Sequence, residues 1–273
     1  MSVGRFLRIH PMMTHTMNVM ITGAGSGIGR CFAGGLANRA KTLVLLDIDA
    51  ASLQATTALL SGSDCRGIEQ VVDVSNADAV DTMVAGLPQQ LESLDLLINC
   101  AAILGGGPWT GQSRADFERV LHVDLLGTIN MIRATLPWLQ RGRGHIVNLA
   151  STAALHGWPG LAAYSAAKFG VVGYSEAVRA ELASLGIGLT LVFPLLIDTP
   201  LLNRPGTPPI LRRGRRIAPE VVVTRVLDAV QRRRSRVYIP RTVRLVAALE
   251  ALAPSLLDWY GARFGTEKSR IES

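Results

Sequence analysis

Apolar positions along the chain follow two rhythms. Six short, nearly unbroken runs stand out: MNVMIT (17–22), TLVLLD (42–47), GIEQVVDV (67–74), LDLLINCA (94–101), GHIVNLAS (144–151) and GLTLVFP (188–194). Between them, apolar residues return every three or four positions, which predicts helices ending near residue 39 and spanning about 50–61, 76–91, 114–139 and 161–184. A strand that is apolar at consecutive positions is covered on both faces, and helical crossovers between successive strands make them parallel. The pattern predicts an α/β fold, a doubly wound parallel sheet in one domain. No internal repeat or low-complexity tract divides it.

Past residue 195 the rhythm changes. LLIDTPLLNRPGTPPILRRGRR (195–216) is dense in Pro and Arg and predicts a long loop. A helix over 219–233, a short strand RVYIP (236–240) and a helical tail over 242–264 around Pro254 follow. The expected organisation is a loose leader over 1–16, with Met13 or Met17 as a candidate start, a main domain over 17–240 and a C-terminal helical extension over 241–273.

Composition narrows the class. Hydrophobic residues make up 48% and mean hydropathy is +0.28, ample for a large core. No window holds 18 consecutive apolar residues, and the N-terminus lacks an apolar signal region, so a cytoplasmic protein is expected. Cys31, Cys65 and Cys100 are odd in number and far apart, forming neither a disulfide framework nor a metal site, and the five histidines lack ligand spacing. No metal is expected. Net charge is +7, yet twelve arginines between Arg204 and Arg244 face only Glu220 and Asp228, so the remainder of the chain is net negative.

Three motifs carry candidate chemistry. TGAGSGIG (22–29) lies between a strand and a helix, where small residues let backbone approach a pyrophosphate seated on the helix N-terminus. Asp47 closes the second strand, where a carboxylate accepts bonds from ribose hydroxyls and repels a 2′-phosphate, favouring NAD over NADP. YSAAK (164–168) puts a phenol and an ammonium on one helix face, and a cation beside a phenol lowers its pKa from about 10. That pair suits general acid/base work; it equally suits an amphipathic helix with Tyr164 inward and Lys168 snorkelling.

Taken in order, TGAGSGIG, Asp47, Asp73-Val74, NCAA (99–102), Ser151 and YSAAK resemble the short-chain dehydrogenase/reductase family over about residues 17–200. The resemblance implies a Rossmann-like fold and a dinucleotide held by Gly23, Ser26, Gly27, Ile28, Gly29 and Asp47, with Asp73 and Val74 at the adenine. It implies that Asn99 supports the sheet, that Ile197 and Thr199 meet the nicotinamide amide, and that Ser151 polarises the substrate oxygen. Tyr164 then exchanges the proton while Lys168 holds the nicotinamide ribose and depresses the Tyr164 pKa. Three positions depart from the family: Ala102 replaces a Gly, Asp124 an Asn linked to a water chain behind the Lys, and Leu195 a Gly.

The loop 152–160 and the segment 195–216 should flank the pocket mouth, with Leu155, Trp158, Leu195, Leu201 and Leu202 forming an apolar lining and His156 adding a polar contact. The resulting expectation is an NAD-dependent oxidoreductase of a lipophilic secondary alcohol or ketone, and a homo-oligomer like its relatives. A 3-oxoacyl-thioester reductase and an NAD-binding scaffold or sensor with weak turnover stand as alternatives. The arginine cluster reads as a solvated face or as a site for an anionic partner. Nucleic acid is disfavoured, because no aromatic stacking platform accompanies the charge. The apolar tail LVAALEALAPSLLDWY suits pocket extension, oligomerisation or peripheral membrane contact.

Overall fold

The computed structural model describes residues 17–87, 91–203, 207–208, 211 and 214–264. The leader expected over 1–16 lies outside the described residues, as do Arg204, Arg212 and Arg213.

Each apolar run becomes a strand: β1 (Met17–Thr22), β2 (Ala40–Asp47), β3 (Arg66–Val71), β4 (Leu96–Asn99), β5 (His145–Leu149), β6 (Gly188–Pro194) and β7 (Arg236–Ile239). All pair in parallel, in the order β3-β2-β1-β4-β5-β6-β7. Residues split by parity between the two faces. Val19, Ile21, Leu43, Leu45, Leu96 and Ile98 pack into one core, and Met20, Val44, Leu46, Leu97 and Ile146 into the other. That split explains the unbroken runs of β1, β2, β4, β5 and β6, which are covered on both faces, whereas the edge strand β3 is partly exposed.

The helices are α1 (Gly27–Leu36), α2 (Ala50–Thr57), α3 (Ala77–Ala85), α4 (Arg114–Leu121), α5 (Gly127–Gly142), α6 (Ala162–Ser184), α7 (Pro219–Gln231), α8 (Val243–Leu252) and α9 (Pro254–Phe264). Local chemistry starts several of them: Asp49 accepts from the Ala51 and Ser52 N–H groups, Asn76 from Ala79 and Ser113 from Asp116, and Pro219 opens α7. The single helix expected over 114–139 is interrupted by a π-helical turn at His122–Leu126. One extra residue per turn rotates the register there, and Asp124 is carried inward to complete burial.

Strand order reverses between β1, which leads to β2 and β3 on one side, and β4, which starts the other half. The carboxyl ends of β1 and β4 therefore bound a crevice, the usual ligand position in open α/β sheets.

Candidate active site

The crevice is built from TGAGSGIG. The Thr22 hydroxyl, at the end of β1, accepts from the Cys100 and Ala101 N–H groups at 3.0 and 3.1 Å and ties the two strand ends together. Gly23 has φ +63°, and a Cβ there would stand 2.9 Å from the Ala101 backbone; one at Gly29 would strike the Gly23 carbonyl. α1 then starts with Ser26 as its N-cap residue, whose side chain makes no cap bond. Beside this loop, Asp47 accepts from the Gly25 N–H at 2.8 Å and from the Asp49 N–H at 3.2 Å, which fixes its carboxylate. Asp73 is held by the Ser75 N–H and hydroxyl at 2.9 and 2.7 Å.

Gly23, Gly29, Asp47 and Asp73 line a cleft of about 250 Å³ together with Ser26, Gly27, Ile28, Val74 and Thr199. Tight glycine backbone with a fixed carboxylate beside it fits a dinucleotide: the α1 N-terminus suits its pyrophosphate and Asp47 a ribose diol. Ala102 lies on the same wall, and so do Arg119 and Val123, which motif spacing did not single out.

Below the cleft, Asn99 donates to the Asn148 side chain at 2.8 Å, and Asn148 donates to the Ser175 hydroxyl at 2.8 Å. This buried bridge locks β4 to β5 and β5 to α6. The structure places Asn99 at this bridge with Asn148 and Ser175, which motif spacing did not single out because each reads locally as an ordinary core position.

Ser151 sits just past β5, and α6 brings Tyr164 and Lys168 beneath it, all three buried. The Lys168 ammonium lies 5.5 Å from the Tyr164 ring centre. It donates to the Leu149 carbonyl at 3.1 Å and pairs with the Asp124 carboxylate at 3.1 Å. The other Asp124 oxygen accepts from the Ile103 N–H at 2.8 Å. The ion pair is fully enclosed, with side-chain exposures of 3% and 0%.

Electrostatics here correct one expectation. Burial raises the Tyr164 phenol above its ordinary pKa; Lys168 pulls it down, Asp124 pushes it up, and the Ser151 hydrogen bond lowers it again, with the balance upward. Spacing revealed the neighbouring cation but neither the burial nor the opposing carboxylate. Burial likewise disfavours the Lys168 ammonium, yet Asp124 and Tyr164 more than offset it and raise its pKa. The relay position in the π turn is thus occupied by a carboxylate bonded directly to Lys168.

Ser151 and Tyr164 form part of the wall of a second, mainly apolar cavity of about 370 Å³. It shares Ile28, Thr199 and Leu201 with the cleft. Trp158, Leu195, Leu201 and Leu202 line it as the sequence suggests, Ile197, expected at the nicotinamide, lines it too, and Tyr260 and Phe264 of α9 extend it, one of the uses expected of the apolar tail. Two expected lining residues lie elsewhere. Leu155 packs against the core, and His156 is buried with its Nδ1 atom 2.8 Å from Glu250 of α8, so it offers the cavity nothing.

The arginine-rich segment is partly self-satisfied. Arg216 donates to Asp198 at 3.0 Å and to Asn203 at 2.7 Å, Arg232 pairs with Asp228 at 2.7 Å, and Arg236 pairs with Glu176. Among the described residues, no group of three or more His, Cys, Asp or Glu side chains could hold a metal ion.

Comparison with known proteins agrees with this geometry. The family model described as short chain dehydrogenase matches residues 17–207. Estradiol 17-beta-dehydrogenase 11 of Macaca fascicularis is 30% identical over 240 residues, covering 86% of this chain and 79% of that protein. A short chain dehydrogenase/reductase of Burkholderia phymatum solved in complex with NAD superposes with a TM-score of 0.80 at 25% identity, over 94% of this chain and 98% of its own. A short chain dehydrogenase of Burkholderia cenocepacia solved with NADP gives 0.76 at 26% identity, over 94% and 100%.

Proposed function

Because the chain belongs to the short chain dehydrogenase family of oxidoreductases acting on CH–OH groups, we propose that it interconverts a lipophilic secondary alcohol and its ketone, using NAD and the Ser151, Tyr164 and Lys168 side chains. One observation carries the proposal: Ser151 and Tyr164 line an apolar cavity that shares Ile28, Thr199 and Leu201 with the glycine-lined cleft. The relative that acts on estradiol has a lipophilic secondary alcohol as its named substrate, which agrees with that cavity.

The nicotinamide, when bound, supplies hydride acceptance or donation at its C4 atom. Everything else falls to the chain. Gly23, Ser26, Gly27, Ile28, Gly29, Asp47, Asp73, Val74 and Asn99 form or brace the nucleotide cleft, and Lys168, Ile197 and Thr199 hold the nicotinamide end. Ser151 orients the carbonyl oxygen, and Tyr164 gives it a proton in reduction or removes one from the alcohol in oxidation. With its pKa raised by burial, the Tyr164 phenol rests protonated at neutral pH, ready for reduction. Oxidation, which needs the phenolate, should rise with pH. The proposal extends to a cytoplasmic homo-oligomer.

Asp124→Asn tests the carboxylate in the relay position. The amide oxygen still accepts from Ile103, but the negative charge that raises the Tyr164 pKa is gone. The pH profile of kcat for alcohol oxidation should therefore shift to lower pH. An unmoved profile would remove Asp124 from the tuning of Tyr164.

Cofactor choice rests on Asp47. Asp47→Ala frees space and removes repulsion of a 2′-phosphate, so the ratio of kcat/KM for NAD over NADP should fall by at least about tenfold. A wild type that already prefers NADP would overturn the assignment of NAD. The same carboxylate argues against an NADPH-dependent 3-oxoacyl-thioester reductase, and Arg216 of the expected docking loop is already engaged by Asp198 and Asn203.

The direct test is a panel of secondary alcohols and ketones of graded chain length, followed by NADH absorbance. Turnover that improves with chain length is expected. No hydride transfer with any of them would leave the binding-scaffold alternative.

A further inference from the structure

The last two helices turn an apolar stripe toward solvent. Leu245, Leu249 and Leu252 recur at one-turn spacing along α8 and are all exposed, Leu252 to 85%. Leu256 and Trp259 continue the stripe along α9, with Trp259 exposed to 63%. Elsewhere among the described residues, exposed large apolar side chains are isolated along the sequence, as at Ile48, Trp109 and Leu185. Clustered exposure of this kind marks an interaction surface.

Charge on the same helices is sorted. Of the two acids in residues 241–264, Glu250 lies 2.8 Å from the Nδ1 atom of the buried His156, and Asp258, 3.9 Å from its Nε2 atom, keeps its side chain 72% exposed. Arg241, Arg244 and Arg263 are the other charged residues of this stretch, and all three are exposed. The stripe is thus flanked by arginines at the start of α8 and the end of α9. α9 also turns Tyr260 and Phe264 into the apolar cavity, with Trp158 edge-on to Tyr260 at 6.2 Å. One helix therefore carries part of the exposed stripe and part of the cavity wall.

We propose that the α8–α9 face docks on the surface of an anionic lipid bilayer, placing the mouth of the apolar cavity at the membrane interface. Leucine and tryptophan side chains enter the acyl boundary while the arginines meet headgroup phosphates. No helix among the described residues is long and apolar enough to cross a membrane, so the contact is interfacial. A second copy of the chain fits the face less well. Two-fold pairing sets a patch against itself and would bring together three exposed arginines with Asp258 as the one largely exposed acid, Glu250 being held by His156. The binding surface is defined without reference to catalysis; only the supply of a lipophilic substrate through it rests on the proposed function.

The test is co-sedimentation of the full chain with vesicles of phosphatidylcholine alone or with roughly a third phosphatidylserine. Binding to the anionic vesicles should be at least about tenfold stronger, and should weaken in about 0.5 M salt. Leu252→Glu combined with Trp259→Glu should abolish sedimentation while leaving turnover of a small water-soluble ketone intact. Arg241→Ser with Arg244→Ser, which leaves the apolar stripe untouched, should remove the anionic preference. The proposal is overturned if the wild type fails to sediment with anionic vesicles at low salt, or if both variants bind as the wild type does. It is also overturned if the face instead forms a protein dimer, seen by light scattering, that the double Glu variant breaks. Vesicle binding needs no turnover, so its failure would leave the oxidoreductase proposal standing.

Discussion

Tyr164→Phe is expected to bind NAD as the wild type does and to lose at least about 100-fold, and up to about 10,000-fold, in kcat. Only one oxygen atom is removed. The ring packs among Val120, Ala153, Leu161, Ala163 and Ala167, contacts that Phe reproduces, so the fold should be unchanged. The Ser151 hydroxyl loses its phenol partner but remains in place through the Ala153 N–H at 3.1 Å. The substrate oxygen is left without a proton donor in reduction or an acceptor in oxidation. At about 1.4 kcal/mol per tenfold, the expected loss corresponds to about 3–6 kcal/mol of transition-state stabilisation. Steady-state kinetics beside a fluorescence titration of the cofactor separate the two effects. Near-full turnover in the variant would show that the proton comes from elsewhere.

Lys168→Met is expected to cost about 3–5 kcal/mol of stability as well as activity. The substitution removes the ammonium that pairs with a completely buried Asp124 and leaves that carboxylate with the Ile103 N–H as its remaining bond. Burial already raises the Asp124 carboxyl above its ordinary pKa, and without the cation it rises further. A carboxyl raised in the folded state favours folding only while protonated, so the penalty grows as pH rises through the folded-state value and shrinks in acid. Urea denaturation at pH 5 and pH 8 should show a larger gap from wild type at pH 8. Adding Asp124→Asn should recover most of the stability and none of the turnover, because the core is then neutral while the ribose and phenol still lack their cation. A single variant as stable as wild type at pH 8 would mean that Asp124 carries no charge in the native protein.

Much of this arrangement was visible in the sequence, for a physical reason. A strand buried on both faces must be apolar at consecutive positions, so Leu43 to Leu46 announce β2 without further help. A turn that touches a neighbouring strand end must lack side chains, so Gly23 and Gly29 announce the cleft. Tyr164 and Lys168 share a helix face by spacing alone. What periodicity cannot report is a partner distant in the chain. Asp124 reaches Lys168 only because a π turn rotates it inward, and a helix of regular pitch was the natural expectation over 114–139. His156 was expected in the cavity wall, yet Glu250, 94 residues away, draws it into the tail instead. The raised Tyr164 pKa has the same origin, since burial is a property of the folded chain.

The proposal that Tyr164 works at the junction of cleft and cavity is tested most directly by isotope transfer. A lipophilic ketone is reduced with NADH deuterated at C4, and the alcohol is examined by mass spectrometry. The wild-type product should carry one deuterium at the carbinol carbon, and Tyr164→Phe should yield almost none in the same time. Absence of label in the wild-type product, or equal labelling by the two proteins, would refute it.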